Sequence, residues 1–233
     1  MRSAPTLSLL FDYLQVACLA LFLLIVLERT LSIRLKSKVN PIRLKIGRNG
    51  VRHSIVFLLF FGVNLWAATV LIYTLHLGHG FLPPLLGEPR VSSLGLKLFG
   101  LALVLFGFAI FILSLASLGN SWRLGIDENN PGELVTSGIY SLSRNPIYVF
   151  FDLYFLGTFL LNGALIFALL TLFIGLILHL QILQEEQFLL RVFGQAYRAY
   201  CARTGRYITW QLGRSEKLAP QPSGLPTDPP DHC

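Results

Sequence analysis

The sequence predicts an all-α integral membrane protein of about five transmembrane helices with a C-terminal helical hairpin. Three observations predict it. Of 233 residues, 54% are hydrophobic and only 13% charged, about half the charged share of a soluble domain. The apolar residues fall in five long runs divided by short polar segments. The cations gather in alternate segments, as they do when a membrane sets orientation.

The elements follow in order. Leu7 to Leu27 is the first span; its weak basic lead-in, length and lack of a small-x-small cleavage site argue against a signal peptide. Arg29, Arg34, Lys36, Lys38, Arg43, Lys45, Arg48 and Arg52 then put eight cations into one connector, which marks the cytoplasmic side. Ser32 to Lys38 suits a surface-lying segment. Ile55 to Leu75 is long enough for ~30 Å of hydrocarbon. His76 to Ser93 is rich in Gly and Pro with Arg90 as its one cation, which suits the opposite side. Leu94 to Leu118 is the third span. Its Gly95, Gly100 and Gly107 allow close helix approach, and Ser114 and Ser117 are expected to hydrogen-bond between helices.

Ile147 to Leu161 and Ala164 to Leu183 are the fourth and fifth apolar segments, and Asn162-Gly163 between them is a tight-turn signal. They read as a hairpin. Gln184 to Arg203 continues it as one helix beyond the membrane, and the proline-rich tail from Leu212 has the composition of a disordered segment. With the basic connector inside, the N-terminus lies outside and the C-terminus in the cytoplasm. All but Arg2, Arg90 and Lys97 of the 19 Lys and Arg then fall on the inner side. Three regions result: a two-span membrane region over 1–93, a membrane core over 94–210 and a tail over 211–233.

The net charge of +7 follows from topology, and no aromatic-and-basic pattern points to nucleic acid. Cys18, Cys201 and Cys233 show no metal-ligand spacing, so no metal is expected and three free thiols are.

Gly132 to Tyr148 stands apart from these structural roles. Its seventeen positions hold two glycines, a proline, a carboxylate, an arginine and two tyrosines between apolar runs. The hairpin returns Glu185 and Glu186 to the membrane face where Pro146 begins. Gly132 and Gly138 let backbone approach a ligand. Leu134 and Val135 offer an apolar wall, and Tyr140 and Tyr148 offer ring faces with hydroxyl tips. The helix start at Pro146 favours a carboxylate, and Glu185 can hold an ammonium or a ribose. S-adenosylmethionine has each of those groups. The phosphates of NAD(P)H call for more cations. The structural alternative is that Arg144 and Glu185 merely lock the hairpin and the tyrosines are interface aromatics. Asp152 is read mainly as an interfacial or packed carboxylate.

The run Gly132-Glu133-Leu134-Val135-Thr136-Ser137-Gly138-Ile139-Tyr140, then Arg144-Asn145-Pro146-Ile147-Tyr148, Glu185-Glu186 and Phe193-Gly194 with Tyr197 and Tyr200, resembles the isoprenylcysteine carboxyl methyltransferases and the related phospholipid methyltransferases. The resemblance covers roughly 94–208. It implies S-adenosylmethionine as cofactor, held in a cytoplasmic pocket by Gly132, Glu133, Leu134, Val135, Tyr140, Asn145, Pro146, Ile147, Tyr148 and Glu185. It implies a lipid or lipidated acceptor drawn from the bilayer, a bacterial inner membrane or endoplasmic reticulum location, and Arg144 and Gln181 on the acceptor side. Two residues depart from the pattern. Asn145 replaces a histidine and cannot titrate. Gln181 stands where the prenylcysteine enzymes carry an arginine facing the substrate carboxylate, and it supplies no countercharge. The acceptor is therefore either a prenylcysteine-type carboxylate, which needs no base, or a lipid amine, for which Glu186 and His179 are candidate proton acceptors; the alternative for each is a packing or solvated residue. The rival readings are an NADPH-dependent lipid or sterol double-bond reductase and a non-catalytic scaffold or transporter.

Overall fold

In a computed structural model the chain is described over residues 5–37, 50–75, 82–90, 93–119 and 132–209. The basic stretch 38–49, residues 120–131, where Asn129-Asn130-Pro131 carries the composition of a turn, and the tail from Leu212 lie outside the described residues. All the helices found there serve one apolar bundle. They are α1 (Pro5–Ser37), α2 (Gly50–Thr74), the short α3 (Pro84–Gly87), α4 (Leu94–Leu118), α5 (Pro146–Asn162), α6 (Leu165–Phe193) and α7 (Gln195–Arg203), with a 3₁₀ turn at Gly138–Ser141. Four are long and apolar enough to cross a membrane, and α5 is a shorter apolar helix of 17 residues. The expected five spans thus resolve into four long helices and one shorter one.

Two helices overrun their apolar runs. The first is α1, which continues to Ser37 and so takes up the first residues of the basic connector. It rises ~50 Å, well beyond ~30 Å of hydrocarbon. Its Arg29 donates through Nη2 to Leu115 O at 3.2 Å and to Gly119 O, placing a cation on the free carbonyls of the α4 C-terminus. The second is α6, whose 29 residues project past the bundle. It does not run on to Arg203 as expected: Gly194, at φ +50°, breaks it, and α7 folds back.

The closest helix pair is α4 with α5. A Cβ on Gly157 would sit 2.6 Å from Gly100 O, and one on Gly100 would sit 2.7 Å from Gly157 O. Gly107 admits Phe150, whose ring stacks on Phe111 with centroids 4.6 Å apart. Gly95 meets nothing within 4 Å. Ser114 differs from expectation: its Oγ donates to Ile110 O of its own helix at 2.7 Å, which satisfies the hydroxyl without a partner helix. Trp66 of α2 joins the aromatic core against Tyr154 and Phe155.

The hairpin turn forms at Gly163, which adopts φ +69° and donates its N–H to Phe159 O at 2.7 Å. Asn162 donates to Gln15 of α1 at 2.6 Å. Arg90 N donates to Gly163 O at 2.9 Å, and Tyr73 Oη donates to Gly87 O at 2.6 Å. The α2–α4 connector and the hairpin turn therefore share one end of the bundle, as the topology requires. Cys18 is a free thiol; Cys201 is disulfide-bonded, which corrects the expectation of three free thiols.

Candidate functional site

At the other end, α5 begins where α6 leaves the bundle. Pro146 at the first turn of α5 fixes the start of that helix. Tyr148, half a turn later, donates its hydroxyl to Glu185 Oε1 at 2.6 Å. Gln181, one turn before Glu185, donates Nε2 to the same oxygen at 3.1 Å. The bond across the hairpin is thus made by Tyr148 and Glu185, with Gln181 joining Glu185 from the same helix, while Arg144, expected as a partner of Glu185, pairs with Glu186. Tyr140 is buried in the 3₁₀ turn ahead of α5, and burial above all, then the charges of Tyr200 and Glu185, pushes its phenol far above the usual range.

Glu186 faces elsewhere, because successive helical residues point about 100° apart. Its side chain is 4% exposed. It accepts from Asn145 Nδ2 at 3.0 Å and from Arg206 Nε at 2.9 Å, and it pairs with Arg144 Nη2 at 3.2 Å and Arg206 Nη2 at 2.8 Å. Asn145 also donates to Arg206 O at 3.2 Å. One carboxylate so fastens the start of α5, the end of α6 and the segment after α7.

That last segment is held by backbone bonds too. Arg144 N donates to Gly205 O at 3.0 Å and Thr209 N to Leu142 O at 2.8 Å. Tyr200 Oη donates to Tyr140 O. The chain from Leu142 to Asn145 therefore lies beneath a flap made by α7 and residues 204–209.

The glycine-led stretch is positioned differently. Gly132 and Glu133 are exposed, and Leu134 and Val135 half-buried. Gly132 takes φ +74°. Thr136 accepts from Arg203 Nη2 at 3.1 Å, which lays this stretch along α7. Gly138, at φ +63°, packs its Cα against Ser117, where a Cβ would meet Oγ at 2.5 Å. Among the expected cofactor residues, Tyr148 bonds Glu185, Asn145 bonds Glu186, Pro146 opens α5, Ile147 packs on the apolar core and Tyr140 is buried in the turn before them. Gly132 to Val135 form a separate edge. Arg144, expected on the acceptor side, is buried on Glu186.

Two residues not singled out for the site add unpaired polar atoms. Gln184 Oε1 and Tyr197 Oη are buried without a hydrogen-bond partner, as is Oε1 of the expected Gln181. Tyr197 is 1% exposed, and burial foremost, then Glu186, raises its phenol above the usual range. Arg206, also not singled out for the site, is paired with Glu186; it had only its charge as a signal and lies 61 residues from Asn145. Buried polar groups are nearly always paired. Orphans gathered beside Glu185 and Glu186 are the pattern of a site that a polar ligand completes. Among the described residues no group of His, Cys, Asp and Glu could hold a metal ion.

Residues 96–196 match the phospholipid methyltransferase family. Over that segment the chain is similar to this family of membrane methyltransferases. It spans α4, α5 and α6 and so contains Tyr140, Tyr148, Gln181 and Glu185. The isoprenylcysteine enzymes are part of the same membrane family, which implies methyl transfer to membrane lipids. No curated protein is similar enough to match the chain.

Proposed function

We propose that this protein transfers a methyl group from S-adenosylmethionine to the amine of a membrane lipid, at the cytoplasmic end of α5 and α6. The observation that carries the reading is the Tyr148–Glu185–Gln181 knot with its orphaned acceptor, Gln181 Oε1. The donor set fits the cofactor. Glu185 is a carboxylate suited to a ribose or an ammonium, and Tyr148 and Tyr140 add phenols beside it. The cations Arg144 and Arg206 are turned to Glu186, an arrangement that suits a cationic ligand better than a nucleotide rich in phosphates.

Bound there, S-adenosylmethionine would supply an electrophilic methyl group. Glu185 would hold it by hydrogen bonds oriented by Tyr148 and Gln181. Glu186 would keep the ends of α5 and α6 in register, so that positioning supplies much of the rate. The flap over Leu142 to Asn145 would exclude water from the reacting pair.

Gln181 favours the amine over the carboxylate. An ionised Glu185 only accepts hydrogen bonds, so it fixes the amide with Nε2 toward itself. Oε1 is left for the acceptor, and an acceptor oxygen suits an N–H donor; a carboxylate offers it no hydrogen. Calorimetry on the detergent-solubilised full chain tests the cofactor. Micromolar binding of S-adenosylhomocysteine with no binding of NADPH is expected; the reverse pattern overturns the transferase reading.

A further inference from the structure

A second polar cluster lies on the bilayer side of this site. His179 Nδ1 stands 2.6 Å from Tyr207 Oη. The two rings are nearly parallel, at 15°, with centroids 6.1 Å apart. Asp152 of α5 faces the same region of α6: its Oδ1 lies 3.9 Å from where a Cβ of Gly175 would be, and nothing else lies closer to that point. Gly175 is one turn before His179 on the same helix face. Tyr207 feels Asp152 as well: burial first, then the Asp152 charge, raises its phenol.

The placement of this cluster follows from helix geometry. Asp152 is one turn past Tyr148 along α5, about 6 Å deeper into the bundle. His179 lies about 9 Å before Glu185 along α6. Next to His179 around the helix, Leu172 and Leu176 are exposed apolar side chains, while Ile182 and Glu186 are buried. His179 is half-buried between them. It stands at the border of lipid and interior, on the way from the bilayer to Glu185. Tyr207 is no chance neighbour, since Arg206 on Glu186 and Thr209 on Leu142 fasten its segment on both sides.

We propose that His179, oriented by Tyr207 and faced by Asp152, is the catalytic proton acceptor for the lipid amine. This rests on the amine-methylation reading above. An alkylammonium with an ordinary pKa near that of lysine, about 10.4, is neutral at pH 7 in only roughly one molecule in a few thousand. The nucleophile must lose a proton before it attacks. With Nδ1–H donated to Tyr207 Oη, His179 Nε2 holds the free lone pair. It takes the ammonium proton; the N–H bonding pair stays on the amine nitrogen as its lone pair. Asp152 balances the imidazolium, and the proton passes on to water. The methyl's bond to sulfur then breaks as its bond to nitrogen forms, and the sulfur keeps the pair as a neutral thioether. Imidazole is the usual side chain for this task near neutral pH. The charged and titratable groups facing it are Asp152 from α5, Glu186 from α6, and Arg206 and Tyr207 from the segment after α7.

The test uses the full chain in nanodiscs containing a primary-amine phospholipid, with S-adenosylhomocysteine affinity and the pH profile of methylation read side by side. His179→Gln is expected to keep that affinity within about twofold and to lose about 100-fold in kcat at pH 7. The loss is expected to shrink to under about tenfold by pH 9.5, where the amine deprotonates unaided. Tyr207→Phe, which keeps the ring but loses the hydroxyl, is expected to shift the profile in the same direction by a smaller amount. Wild-type rates and profile in both variants overturn the assignment. So does an equal loss at every pH accompanied by lost cofactor affinity, which makes His179 a packing residue. Wild-type protein that neither binds S-adenosylhomocysteine nor methylates the amine overturns the transferase reading, and the assignment with it.

Discussion

At the residue scale, two adjacent carboxylates have different work. Glu185 accepts from Tyr148 and Gln181, while Glu186 is buried among Arg144, Arg206 and Asn145. Their substitutions should separate. Glu185→Gln is expected to weaken S-adenosylhomocysteine binding about tenfold or more, the size of a lost hydrogen bond to a charged group. Glu133→Gln, on an exposed residue, is expected to change it less than twofold, and calorimetry reads both. Glu186→Gln leaves Arg144 and Arg206 facing a neutral amide in a buried site, a loss of about 3–5 kcal/mol. It is expected to lower the melting temperature in detergent clearly, whereas Glu185→Gln leaves it nearly unchanged. Sequence reading reached Glu185 through the hairpin, but assigned Glu186 no partner. The two carboxylates are neighbours in the chain and about 100° apart on the helix, and the partner Arg206 is distant in sequence. Nothing local in the chain encodes that contact.

At the scale of elements, the bundle depends on close backbone approach and on the flap. Gly157 and Gly100 touch through their backbones. Gly157→Leu should force α4 and α5 apart and cost at least the ~1–3 kcal/mol of an overpacked core, seen as a lowered melting temperature; Gly95→Leu, with open space around it, should not. The flap carries Tyr197 and Tyr200, and Tyr140 lies beneath it. Burial raises all three phenols above the ordinary value of about 10. The folded state thus holds these protons more tightly than the unfolded state. The stabilisation is fully present below pH 10 and is lost as pH rises above it toward the raised values. Unfolding followed by tyrosine absorbance should show the protein losing stability above about pH 10, and Tyr140→Phe should reduce that loss. The apolar runs, the Asn162-Gly163 turn and the glycine-mediated packing were legible in sequence because each has a local cause. The break at Gly194 and the return of α7 were not, because a lone glycine in a helical pattern is compatible with continuation. Tertiary bonds such as Thr209 to Leu142 accompany the fold-back.

At the scale of the whole molecule, the ends of the bundle differ in chemistry. One end ties the α2–α4 connector to the Gly163 turn. The other gathers carboxylates, phenols and buried unpaired amide oxygens at the termini of α5 and α6. The family match over residues 96–196 covers the helices that build this polar end. Of the stretch from Gly132 to Tyr148, the second half lies at the helix ends, where Tyr148 bonds Glu185. The motif alone leaves the acceptor open; under the proposed reading, the bonded geometry of Gln181 favours an amine over a carboxylate. The distribution of cations predicts that the polar end faces the cytoplasm; a cysteine introduced at Glu133 should then react with an impermeant thiol reagent only from that side in oriented vesicles. The central claim is methyl transfer to a lipid amine. It is tested most directly by incubating the purified full chain, in nanodiscs carrying a primary-amine phospholipid, with S-adenosylmethionine labelled in its methyl group. Label in the amine headgroup, abolished or sharply reduced by Glu185→Gln, is the predicted result. Headgroups that stay unlabelled while the wild-type protein is folded, or label confined to a carboxylate acceptor supplied in parallel, would contradict it.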